Sequence, residues 1–164
     1  MRRATLLTGT LLLALFVVGC YTSKFTIGAE EQAKVDRNYI GDWEAKDGDK
    51  TMSLIIRNLD DKNYYVELTE DNKTSRYTAF IGAVKDAQFA NLRELTDDGT
   101  IQDERLIMRV GLKDGKLELR NLKDEFFKDQ TVDSQAQLTS LIEKNLENKD
   151  LYEDSVVLTR VVSK

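Results

Sequence analysis

The 164-residue chain has the length of one domain with one core, and its 41% hydrophobic and 32% charged residues suit a packed interior under a solvated surface. With 29 Asp and Glu against 24 Lys and Arg, its net charge of −5 repels phosphate backbones and argues against a nucleic-acid partner. No His and a single Cys exclude an imidazole base, an imidazole or multi-thiolate metal site and an internal disulfide.

The chain opens on Met1-Arg2-Arg3, followed by a mostly apolar stretch from Ala4 to Gly19 with an unbroken core from Leu11 to Val18. This has the charged start and short apolar run of an export signal, and it is shorter than the ~20 apolar residues a spanning helix needs. The run ends on Val17-Val18-Gly19-Cys20, which resembles the lipobox read by bacterial lipoprotein-processing enzymes. The resemblance implies cleavage before Cys20 and a diglyceride on its thiol, with small Gly19 giving the peptidase access. The covalent lipid on Cys20 is then the only prosthetic group expected, and two or more acyl chains on one residue hold a protein stably at a membrane. Cleavage at that point makes 1–19 a signal peptide. Loss of Arg2 and Arg3, the leader's only charges, takes the net charge from −5 to −7. The residue after the Cys is Tyr21 rather than Asp, which in two-membrane bacteria implies the outer membrane, facing the periplasm, rather than the inner.

From Cys20 to Arg37 apolar periodicity is weak, so 20–37 reads as a lipidated N-terminus and tether. The alternative is a turn or two of helix over Ala29 to Val35, covering one end of the domain. From Asn38 to the end, 38–164, a single domain is expected. Period-two alternation dominates it: Met52, Leu54 and Ile56 share a face, then Tyr64, Val66 and Leu68, then Tyr77, Ala79 and Ile81. A shorter strand follows at Gln88 to Leu92. Leu106, Met108, Val110 and Leu112 lead into Asp114-Gly115, a two-residue hairpin turn, with Leu117 and Leu119 beyond it.

After Leu122 the period changes. Lys123 to Asp129 allows one helical turn with Phe126 and Phe127, and Leu138, Leu141, Ile142 and Leu146 mark an amphipathic helix behind a Ser134/Gln137 capping box. This helix is a candidate lid or plug. The β-branched run from Ser155 to Val162 reads as a last strand able to pair with the first. The fold class is therefore mainly β: an antiparallel meander closing into a small barrel or curled sheet, with one or two short helices before the last strand.

Tyr39-Ile40-Gly41-Asp42-Trp43 resembles the Gly-X-Trp opening of lipocalin barrels. The resemblance implies that Trp43 packs across the closed end of the barrel against an Arg of the last strand, here Arg160; the lipocalins' second motif has no counterpart. A second resemblance rests on Gly41-Asp42-Trp43, Thr78-Ala79-Phe80, Gln88-Phe89-Ala90-Asn91-Leu92, Lys116-Leu117-Glu118-Leu119, the helical segment and Val156-Val157-Leu158-Thr159. Their order is similar to that of a family of small uncharacterised exported bacterial lipoproteins, which implies an architecture and no activity.

No phosphate-binding glycine loop, Ser-His or Cys-His pair, or Ser-X-X-Lys motif occurs, and no enzyme activity is expected. Asp97-Asp98-Gly99 with Asp103-Glu104 lacks EF-hand spacing and reads as a solvated turn; no metal is expected. Two function classes stay open. One is a cell-envelope interaction protein whose filled barrel meets an envelope protein on its outer face; the other is a lipocalin-like binder of a small apolar or amphipathic ligand such as a lipid. Interior volume separates them, with Tyr64, Phe80, Met108 and Phe126 as candidate fillers.

Overall fold

A computed structural model describes residues 19–48 and 50–162. Residues 1–18, with the leader's apolar run and Val17 and Val18 of the lipobox, lie outside the described residues. Strand β1 is Thr22–Ser23, followed by β2 Gly41–Asp47, β3 Lys50–Asn58, β4 Tyr64–Glu70, β5 Lys73–Val84, β6 Ala87–Leu95, β7 Ile101–Lys113 and β8 Lys116–Asn121. Two helices, α1 Asp124–Phe127 and α2 Gln135–Lys144, precede β9, Val156–Arg160.

Strands β2 to β8 form an antiparallel meander, and β9 pairs with both β2 and β8, so β2 to β9 close an eight-stranded barrel. Closure removes the sheet edges that an open meander would expose. Expected and observed alternation agree: Met52, Leu54, Ile56, Tyr64, Val66, Tyr77, Ala79, Met108, Val110, Leu117 and Leu119 all belong to one interior cluster with Trp43 and Leu158. The hairpin at Asp114-Gly115 has φ of 52° and 73°, and Asp71-Asn72 between β4 and β5 has 48° and 63°; both turns take the two positive φ angles that match strand twist. Cross-strand partners run from Ala45 through Met52 and Glu70 to Lys73, which lies beyond the last β5–β6 pair, Arg76 with Leu95. The strands are thus staggered and tilted, as closure of eight strands requires.

Two elements differ from the sequence reading. The amphipathic helix is present and capped: Ser134 Oγ accepts the Gln137 N–H (3.2 Å), while Gln137 Oε1 accepts the Asp133 N–H (2.7 Å). It is neither lid nor plug. Leu138 and Ile142 are fully buried, but in a second cluster with Val84, Phe89 and Ile107, so α2 packs on the outer wall. The reason is that β5 to β7 carry apolar residues on both faces, and the outward ones need cover.

The segment 20–37 is packed against the barrel instead of forming a tether. β1 pairs antiparallel with β7, Thr22 opposite Leu106 and Ser23 opposite Arg105. Tyr21 stacks on Phe127 with ring centroids 3.7 Å apart, and Ile27 is fully buried. The Asn91 side chain holds Ile27 on both sides, accepting its N–H (2.8 Å) and donating to its carbonyl (3.0 Å). A side chain at Gly82 would place Cβ 1.8 Å from the Ile27 oxygen, so only glycine lets the segment lie this close. The helical alternative over Ala29 to Val35 is met by a single 3₁₀ turn, Glu30–Gln32.

Candidate functional site

The closed end is built from the opening of β2. A 3₁₀ turn at Arg37–Tyr39 crosses the barrel, capped by the Asp36 carboxylate, which accepts the Asn38 N–H at 2.9 Å. Its three outgoing carbonyls are all satisfied. Trp43 Nε1–H donates to Tyr39 O (2.9 Å), and the Arg160 guanidinium donates to Ile40 O (2.6 Å) and Asn38 O (2.7 Å). Trp43 and Arg160 are cross-strand partners, and the guanidinium carbon lies 4.2 Å from the indole centre. Cation–π attraction and charge-assisted hydrogen bonds therefore act on one pair. Gly41 has a φ of 154°, which residues with a side chain rarely adopt, and a Cβ there would also lie 2.3 Å from the Arg160 guanidinium, which would have to shift. The sequence-predicted pair is thus brought together as the barrel-closing contact.

Tyrosines complete this end. Tyr64 Oη accepts the Asp36 N–H at 2.6 Å, and Tyr39 Oη donates to Gln88 Oε1. Burial, with Asp36 nearby, pushes the Tyr39 phenol up to about 12, because a phenolate there would be poorly solvated.

Inside, the lining is apolar throughout and the remaining cavity is about 60 Å³, bordered by Tyr39, Met52, Tyr64, Tyr77, Leu92 and Met108 among others. Of the expected fillers, Tyr64 and Met108 face this interior. Phe126 packs in the outer cluster, and Phe80 pairs with Asn91, whose side chain faces the N-terminal segment outside the barrel. Tyr39, Trp43, Met52 and Tyr77 take their place. Ligand pockets run to about 300–1,000 Å³, so the remaining space is several times smaller than such a pocket.

The opposite rim is uncovered by the segments outside the barrel. Among the described residues, every buried side chain from Asp124 to Tyr152 belongs to the outer cluster, and the turns at this rim are short hairpins. Gly19 and Cys20 lie beside the end of β8, and β1 runs from them toward this rim. Cys20 bridges to Lys123, just past the end of β8, with the Tyr21 N–H bonded to Leu122 O (3.0 Å) and the Asp124 N–H to Gly19 O (3.0 Å). Burial, with Glu153 beside it, pushes the Cys20 thiol up to about 11. A thiol in that state is a poor nucleophile.

Sequence reasoning missed the clamp formed by Asn91, Gly82 and Ile27. One signal was present: a glycine inside a strand marks a close backbone approach. Among the described residues no cluster of three or more Cys, Asp or Glu is placed to hold a metal ion. No protein family, curated protein or solved structure matches the chain.

Proposed function

We propose that the chain is the precursor of a bacterial lipoprotein, anchored through lipid on Cys20, whose barrel is a non-catalytic interaction module of the cell envelope. The observation that supports the interaction class over the ligand class is the filled interior, with its residual volume of about 60 Å³. An acyl chain of sixteen carbons needs several times that space. The surface that remains for recognition is the outside of the barrel, and its acidic balance suits a protein or a zwitterionic surface rather than nucleic acid.

Trp43, the only tryptophan, sits at the closed end and reports on the interior. Titrating the unlipidated domain with fatty acids and lysophospholipids should leave its emission and the melting temperature unchanged. A saturable emission change with a rise in melting temperature would replace the interaction reading with lipid binding, because a ligand that binds only the folded state stabilises it.

A further inference from the structure

We infer that a polar groove on the outer wall of the barrel is a binding site for a small zwitterion, an amino acid or short peptide. Its carboxylate seats on Arg109 and its ammonium lies toward Asp86 and Glu147. The site depends neither on the anchor at Cys20 nor on the volume of the interior.

The groove follows from the register of β7 and β8. Met108, Val110, Leu117 and Leu119 face the interior, so the residues that alternate with them, Arg109, Gly111, Glu118 and Arg120, face out. Arg109 lies directly opposite Arg120, and Gly111 lies opposite Glu118. One glycine among long side chains leaves a hollow: a Cβ at Gly111 would meet nothing within 4 Å. The β5–β6 turn brings Asp86 to this hollow, and the loop after α2 brings Glu147. The space they border is about 450 Å³, against about 60 Å³ inside the barrel, and it falls in the ~300–1,000 Å³ range of small-molecule sites.

The charges decide what such a groove takes. Two guanidinium groups directly opposite each other on a strand pair repel. Arg120 is offset locally, since its Nε (2.8 Å) and Nη2 (2.6 Å) both donate to Glu118 Oε1. Arg109 is held by neutral groups instead: Nη1 donates to Leu146 O (3.2 Å), and the guanidinium carbon lies 5.5 Å from the centre of the Tyr152 ring. Among the described residues, no ion pair includes Arg109, Asp86 or Glu147. Arg109 is therefore fixed in place with its charge left for an anion, and its planar fork matches a carboxylate. Asp86 and Glu147 repel a polyphosphate or a nucleic acid and attract an ammonium group, so the ligand that suits both carries one charge of each sign. The bare backbone at Gly111 lets that ligand approach closely.

The test follows the backbone amide resonances of the full chain in detergent as trialanine is added. Trialanine should shift the Gly111 and Ala87 amides saturably at millimolar concentration. Trialanine amide lacks the carboxylate and should bind about tenfold more weakly, the loss expected for one charge-assisted contact. Arg109→Gln should weaken trialanine by about the same factor and leave the amide unaffected, because the two changes remove one contact. Gly111→Leu fills the hollow from a position with open space around it, so it should keep the melting temperature and abolish the shift at Ala87. No saturable shift at these amides, or equal binding of trialanine and its amide, would overturn the assignment. Undiminished binding to a folded Gly111→Leu chain would overturn it as well.

Discussion

Gly41 and Arg160 are coupled by a distance. The guanidinium occupies the volume a Cβ at Gly41 would take, and it is held there by two carbonyls and an indole face. Gly41→Ala should therefore lower stability by about 1–3 kcal/mol through overpacking and backbone strain. In an Arg160→Leu background the same change should cost less but still destabilise, because the obstructing guanidinium is gone while the φ of 154° remains. Denaturant unfolding of the four proteins in this cycle measures the coupling, and additive costs would show that the contact is not the reason for the glycine. The Tyr39 phenol makes a separate demand. Its pKa is about 12 in the folded chain and 10 when exposed, so the unfolded state releases its proton first as pH rises. Stability should be insensitive to this group below pH 10 and fall between pH 10 and 12. A flat melting temperature across that window, in a buffer series at fixed ionic strength, would show that Tyr39 is solvated.

At the scale of elements, the N-terminal segment behaves as a strap across the outer wall, and Asn91 is its fastening. Asn91 is 1% exposed and spends its amide on the two backbone groups of Ile27. Asn91→Leu keeps the volume and strands both groups, at about 1–3 kcal/mol each. Hydrogen exchange should then quicken from Tyr21 to Ala33 while the β3–β4 pairing stays protected. Unchanged exchange in that segment would mean that Tyr21 and its stack on Phe127 hold the strap without Asn91. Strands and α2 were legible in the sequence because their periods, 2 and 3.6, are local signals. The position of α2 was not, since the apolar stripe says only that one face is covered. What covers it depended on the outward residues Val84, Phe89 and Ile107, which read as isolated members of inward-facing strands.

For the whole molecule, the barrel and its closed end could be read from Gly41-Asp42-Trp43 and Arg160, because the pair is set by register: the first strand and the last must meet for the sheet to close. The reading of 20–37 as a tether failed for the opposite reason. Its contacts are made one residue at a time, by Tyr21, Ile27 and Ala33, and no periodic pattern records them. That failure changes the proposed functional picture, because a lipid on Cys20 would have no flexible tether between it and the domain. Behind the lipocalin-like opening the barrel keeps an apolar cavity of about 60 Å³. The proposed anchoring depends on the chemistry of one side chain. The measurement that reaches it most directly is incorporation of labelled fatty acid into the full chain expressed in a bacterial host, compared with Cys20→Ser. The wild-type chain should carry label and run as a shortened product, and the variant should carry none. Undiminished labelling of the variant would show that Cys20 is not the anchor.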